Sequence, residues 1–444
     1  MALLLATCCA SVPLVAGVAV AKPPAGGKNT AGAPAEGAAK LRRIETPYYV
    51  LHTDVDDATA REAALRVTTM AEEYYERTRE FSGTIRERLP FYLFRRPTDY
   101  YAAGGAPESD GVFDGERLMA IAGEKAGAAT WHVTQHEGFH QFAHAVIGGD
   151  LPMWVNEGLA EYFGEAAFTG DGYQSGLVPA WRLKRVRASL NGDLFLPVAD
   201  LMKLDNAAWN ARLAIENYDQ AWMMVHFLAH GDGGKYQKPF VRFMKDLVRG
   251  RGWDESWAAS FGDRRGFERA WRQYWLTLPD NPTADGYARA TVATLTSFLA
   301  RAMAQRQTFA TADAFLATAA KGELKADPTQ ALPPTLLEQA VTDARELGRW
   351  SMETPPGGRT PQLVCTRDDG IRLVGVFTLK GEKVERVDVS IDDTAIALAS
   401  ARKLINAGQP AKAKPILTDA LKRNPKSPLA DEVRKLLQPP GKSK

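Results

Sequence analysis

Two histidines and a glutamate in one short stretch have the types and the spacing of a metal site. His136 and His140 stand four residues apart, and Glu137 directly follows the first, in the pattern H-E-x-x-H. Residues four apart lie on one face of a helix, so both imidazoles can reach a single ion. Glu137 lies about 100° round the helix, where its carboxylate can act as general base on metal-activated water without binding the ion.

A third ligand is expected, because a catalytic zinc ion takes three protein ligands and keeps an open position for water. Glu157 is the best candidate, on a second helix that is predicted to begin after Pro152. Two imidazoles and one carboxylate with an open position suit zinc. The alternative is a helix whose histidines are ordinary core or surface residues. The presence of Glu157 at a workable distance favours the metal site.

Histidines recur every four residues along the first helix, at His132, His136, His140 and His144. Only His136 is followed by a glutamate, which selects the pair 136 and 140 as ligands. His144 would lie about 12 Å along the helix axis from His136, too far to share its ion. We therefore interpret His132 and His144 as structural.

The sequence P-M-W-V-N-E-G-L-A-E-Y-F at residues 152–163, together with H-E-x-x-H, resembles the gluzincin zinc metallopeptidases. It is most similar to the bacterial peptidase MA-like proteins, whose pattern reads approximately P-x-W-x-x-E-G-x-A-E-Y. The resemblance implies one Zn²⁺ per chain, held by His136, His140 and Glu157, with Glu137 as the catalytic base. The chain has no clear G-x-M-E-N segment, which binds a free substrate amino terminus in the related aminopeptidases, so aminopeptidase specificity is not expected.

Two further residues take roles from the same resemblance. Glu161, one turn after Glu157, matches the carboxylate that orients a ligand histidine, a role that suits an imidazole with a second N–H to donate. Its alternative is a solvated helix charge. Tyr218, at a predicted helix start, is similar to a tyrosine that stabilises the oxyanion. Its alternative is packing at a helix end, and His226 is a weaker candidate donor. Residues 111–122 are predicted to form a hairpin around Asp114 and Gly115. By the same resemblance, its segment from Leu118 to Ala122 is the candidate edge strand for the substrate backbone.

Composition limits the partners and the location. The 444 residues carry 55 basic and 53 acidic side chains, a net charge of +2, so no nucleic-acid partner is expected. Residues 1–21 are apolar and end in a fair A-x-A site, which predicts a signal peptide or, alternatively, a membrane anchor. Residues 22–40 are rich in Ala, Gly and Pro and predict a disordered linker. The protein is therefore expected to be secreted, periplasmic or attached to the cell envelope.

The periodicity of the chain predicts an α+β fold. We expect a gluzincin-like catalytic domain, with a mixed sheet and a helical subdomain, then helices, a small antiparallel meander of three strands and tetratricopeptide-like C-terminal helices. One such repeat cannot bury its own core, so those helices are expected to pack on a neighbour or a protein partner. The predicted domains comprise residues 41–281, 282–392 and 393–438.

Two hypotheses about function follow from the sequence. The first is a zinc metallopeptidase that hydrolyses peptide bonds in a peptide or protein substrate, with Glu137 as general base. The second is a non-catalytic binding or scaffold protein that retains a gluzincin fold. The complete set of ligands and base favours the first.

Overall fold

The computed structural model describes residues 41–148, 151–212, 214–354 and 360–438. The predicted signal peptide or anchor, residues 1–21, and the predicted linker, residues 22–40, lie outside this part of the chain. Among the described residues, no helix is both long and apolar enough to cross a membrane.

The chain forms two compact units. The first comprises the residues up to Ala166 together with Ser175–Thr283, and the second comprises Ala167–Gln174 together with the chain from Ala284 onward. Both mix helices and strands, so the fold is α+β as predicted.

A five-stranded mixed sheet organises the first unit. Its strands follow the spatial order β1-β2-β3-β5-β4, in which β2, β3 and β5 are parallel and the two outer strands are antiparallel to their neighbours. The strands are β1 (Arg42–Glu45), β2 (Tyr49–Thr53), β3 (Leu89–Phe94), β4 (Gly111–Phe113) and β5 (Leu118–Ile121).

The two faces of this sheet are covered by different helices. Helices α1 (Asp57–Thr78) and α3 (Ala128–Phe142) share a core with one face, in which Leu51, Phe91 and Leu118 are fully buried. The short helix α2 (Pro97–Ala102) covers the other face. Because alternate residues of a strand point to opposite faces, the apolar pattern of each strand serves both cores.

The expected edge strand, Leu118 to Ala122, is not at the edge. It forms β5, which pairs with β3 on one side and with β4 on the other. The edge next to the H-E-x-x-H helix is β4, because the hairpin folds its first strand outward and its second strand inward against β3. The sequence located the hairpin, but the order of its strands depends on pairing with the distant β3.

The remaining helices of the first unit pack around α4 and α8. A π-helical turn at Ala143–Ile147 extends α3 and ends at Gly148, which has a positive φ of 67°. The helices are α4 (Met153–Gly164), α5 (Ala180–Asn191), α6 (Val198–Leu201), α7 (Asn206–Arg212), α8 (Ile215–His230), α9 (Gln237–Val248), α10 (Trp253–Ser260) and α11 (Arg264–Thr277).

The second unit is built on α12 and an antiparallel sheet, with the hairpin of β6 and β7. The sheet has the order β11-β10-β9-β8, so it contains four strands rather than the predicted three. The additional strand β8 was not predicted from the sequence, and Gly348, with a φ of 156°, redirects the chain into it after α14. The elements are β6 (Ala167–Phe168), β7 (Tyr173–Gln174), α12 (Ala284–Ala304), α13 (Ala312–Ala320), α14 (Pro334–Leu347), β8 (Arg349–Glu353), β9 (Gln362–Thr366), β10 (Arg372–Lys380), β11 (Lys383–Asp392), α15 (Thr394–Asn406), α16 (Pro410–Arg423) and α17 (Ala430–Leu437).

Helices α4 and α8 approach each other closely at Gly158. A Cβ atom at this position would stand 2.5 Å from the carbonyl oxygen of Ala221 and 2.6 Å from Cγ2 of Val225. Both distances are shorter than real Cβ contacts allow, so a larger residue must push the two helices apart. The glycine of N-E-G therefore sets the distance between α4 and α8.

We predict that Gly158→Ser destabilises the protein by about 1–3 kcal/mol, because overpacking between two helices forces backbone shifts. The midpoint of urea denaturation, followed by tryptophan fluorescence, measures the loss. Gly127→Ser is the matched control, since a Cβ there meets nothing within 4 Å and serine is favoured at the N-cap of α3 that Gly127 occupies. Equal midpoints for the two variants would contradict the close approach.

Candidate metal centre

Helices α3 and α4 bring the three predicted ligands together. The Nε2 atoms of His136 and His140 lie 3.1 Å apart. Glu157 Oε2 lies 3.4 Å from His136 Nε2 and 3.5 Å from His140 Nε2. These atoms all fall within 4.8 Å of one another, which allows one ion to contact all three.

A contact between the two helices fixes this arrangement. The side-chain amide of Gln135 on α3 donates to the carbonyl oxygens of Phe163 and Gly164 at the end of α4, each at 3.0 Å. Carbonyls in the last turn of a helix have no partner within the helix, so Gln135 satisfies two of them. Glu157 is held facing the histidines as a result.

The chemistry of the three side chains fits a cation. Glu157 is fully buried, and among the described residues neither of its carboxylate oxygens accepts a well-directed hydrogen bond. An unsatisfied buried carboxylate is costly, and a metal ion is one of the partners that removes the cost. Two histidine nitrogens and a carboxylate oxygen form a donor set that suits several divalent transition metals. The group of His136, His140 and Glu157 can therefore hold a metal ion.

The pKa values of these groups reflect the same mutual attraction. Burial alone raises the pKa of Glu157, but the neighbouring histidines outweigh burial and lower it to about 2. Burial lowers the pKa of His136, and the carboxylates of Glu157 and Glu161 reverse this, so that it stands well above its ordinary value. The site thus keeps Glu157 charged and ready to accept a positive partner.

Glu137 lies on the same helix but outside the group of three ligands. Its Oε2 accepts a hydrogen bond of 2.8 Å from the backbone N–H of Phe113, on the edge strand β4. Its Oε1 is buried and has no hydrogen-bond partner among the residues that the structure describes. One oxygen is therefore anchored while the other is available to accept a proton.

Glu161 contacts His136 from the side away from Glu157. Its Oε1 lies 3.2 Å from His136 Nδ1. The contact is electrostatic and lacks the geometry of a hydrogen bond. Burial raises the pKa of Glu161, but Arg182 and His136 hold it well below its usual range. The alternative of a solvated helix charge does not apply, because Glu161 is 6% exposed.

Arg182 on α5 supports this carboxylate, and the sequence analysis missed it. Its guanidinium pairs with Glu161 at 2.7 Å, with Glu165 at 2.5 Å and with Asp219 at 3.0 Å. It also lies over the ring of Trp222, 4.2 Å from the ring centre. A basic residue that is 2% exposed is unusual unless it is paired, and here it joins α4, α5 and α8. No short-range spacing signals this role, since its partners are up to 37 residues away in the chain.

Tyr218 lies in the first turns of α8 and is 6% exposed. Its ring packs edge-on against Trp209, with 5.4 Å between the ring centres. Its pKa is raised, first by burial and then by the charge of Glu157. The phenol of Tyr218 therefore lies close enough to Glu157 to interact with its charge.

The other histidines lie outside the group of ligands. Nε2 of His226 lies 3.2 Å from the carbonyl oxygen of Gly176, and its ring packs against His230 and Trp275. His132 stands over Gly164, where a Cβ would come within 2.9 Å of the ring. His144 is exposed in the π-helical turn. The structural roles of His132 and His144 stay predictions, and the placement of His226 gives no support to it as a donor.

We predict that Arg182→Gln costs about 3–5 kcal/mol of unfolding free energy, because three carboxylates lose their buried cation. Arg185→Gln is the matched comparison. Arg185 is one-third exposed, and its ion-pair partner Asp219 keeps Arg182, so we expect a loss of about 1 kcal/mol. Urea denaturation of the two variants measures both values. A small and equal loss would show that Arg182 does not hold the network together.

Comparison with known proteins adds one match. Residues 130–250 match a family described as a protein of unknown function, DUF1570. That segment includes His136, His140, Glu157 and Tyr218. No curated protein matches the chain. The matched segment therefore contains all three candidate metal ligands, and the description of the family gives no activity.

Proposed function

We propose that this protein is an exported zinc metallopeptidase that hydrolyses peptide bonds. One observation carries the proposal: His136, His140 and Glu157 converge, while in the part of the chain that the structure describes no group donates a well-directed hydrogen bond to either oxygen of Glu157. The resemblance of H-E-x-x-H and N-E-G-L-A-E-Y to gluzincin metallopeptidases supports the same function. The apolar residues 1–21 support export.

The residues have separable roles in this proposal. His136, His140 and Glu157 would hold a zinc ion, which would supply a Lewis acid for the scissile carbonyl and for water. Glu137 Oε1 takes the proton of the attacking water and passes it to the leaving amine. The Phe113 N–H holds Oε2 of the same carboxylate, which fixes the direction of Oε1. Tyr218 donates its O–H to the oxyanion of the tetrahedral intermediate.

The substrate backbone is proposed to pair with β4. This strand forms the edge of the sheet beside α3, and its Phe113 already contacts the base Glu137. An extended peptide that adds to a sheet edge gains backbone hydrogen bonds without regard to its side chains. Because β4 rather than β5 is the edge strand, a substrate strand paired with it would lie next to the proposed base Glu137.

We predict that Glu137→Gln lowers kcat/KM by about 10²–10⁴-fold, the usual contribution of a general base, while zinc binding is retained. Cleavage of a quenched-fluorescence peptide library by zinc-loaded protein measures the rate, and elemental analysis measures the zinc. Glutamine keeps the size of the side chain and can still accept from Phe113, so the fold should not change.

Glu87→Gln is the control, because Glu87 is exposed and lies outside the metal centre. Unchanged cleavage in Glu137→Gln would contradict the role of the base. A wild-type protein that binds zinc and cleaves nothing in the library would favour the non-catalytic scaffold hypothesis instead.

A further inference from the structure

A basic groove runs along helix α9, on the surface of the first unit. It is an open groove of about 460 Å³, lined on one side by residues of α9 and its C-cap Arg249 and on the other by Glu80, just beyond α1. Four of its residues are cationic: Lys238, Arg242, Lys245 and Arg249. Their spacing of four, three and four residues places them on one helix face, over a length of about 16 Å.

The acidic residues of the groove leave most of this charge uncompensated. Glu80 pairs with Lys245 at 2.9 Å, and Asp246 pairs with Arg251 at 3.1 Å. Lys238, Arg242 and Arg249 form no ion pair within the part of the chain that the structure describes. Like charges four residues apart on a helix repel each other, so this pattern does not stabilise α9.

The opposite face of α9 provides the packing that the fold needs. Phe240, Phe243, Met244 and Leu247 are buried on that face. The ring of Phe243 stacks on Trp154 of α4, with 5.9 Å between the ring centres. The basic face is therefore free to serve a partner rather than the core.

We propose that this groove binds an acidic polypeptide segment in an extended conformation. The cations are about 4.5–6 Å apart along the helix axis, close to the ~6.7 Å between alternate side chains of an extended chain. Arginine pairs with carboxylates through two parallel hydrogen bonds, which suits Asp and Glu side chains. The groove is open and lies between α9 and Glu80, with Val241 as an apolar lining residue, and a groove between two walls fits a chain better than a flat lipid surface.

The test is the binding of a fluorescein-labelled decapeptide of alternating Glu and Ser, measured by fluorescence anisotropy with the full-length protein. A peptide of alternating Gln and Ser is the uncharged probe. We expect the Glu peptide to bind, the Gln peptide not to bind, and affinity to fall as salt is raised. Arg242→Gln with Arg249→Gln should weaken binding by about fivefold or more.

The control is Arg61→Gln with Arg265→Gln, which removes the same charge from two exposed arginines outside the groove. This control pair should bind the Glu peptide like the wild type. The proposal is overturned by equal binding of the Glu and Gln peptides, by no binding of either, or by equal losses in the two double variants. Tighter binding of polyphosphate or of anionic phospholipid vesicles than of the Glu peptide would also overturn it, by assigning the groove to another class of anion.

Discussion

The burial of the Glu157 carboxylate beside His136 and His140 is the constraint on which the rest of the first unit depends. A charged group without hydrogen-bond donors is costly in a protein interior, and it persists only where its surroundings compensate it. Two imidazoles face it, and Glu161 steadies one of them. Arg182 then compensates Glu161, Glu165 and Asp219, so the charges of the site extend into α5 and α8.

Packing holds the same arrangement from outside. Gln135 ties the end of α4 to α3, and Gly158 lets α8 approach α4 directly behind the ligand glutamate. Consequently one short helix, α4, presents Glu157 to the histidines, Glu161 to the arginine and a glycine to its neighbour. Several positions of α4 therefore require a particular residue type.

The sequence predicted those features that depend on short-range spacing. The pair of histidines four residues apart, the hairpin around Asp114 and the helices of the C-terminal region were all predicted and are present. Arg182 and Asp219 were missed because their partners are distant in the chain and a lone charged residue in a helix has no periodic signal. The edge strand was misplaced for a related reason: the order of β4 and β5 is decided by pairing with β3. Likewise β8 was missed because its strand character comes from pairing with β9 rather than from its own pattern.

The central claim is that His136, His140 and Glu157 hold one metal ion, and the metal content of the purified protein tests it most directly. Mass spectrometry would count zinc in the wild type, in His140→Ala and in His144→Ala, after zinc has been offered and excess removed. The account predicts about one zinc per chain in the wild type and in His144→Ala, whose histidine is exposed and outside the ligand group, and a loss in His140→Ala. No metal in any of the three, or equal zinc in the wild type and His140→Ala, would contradict it.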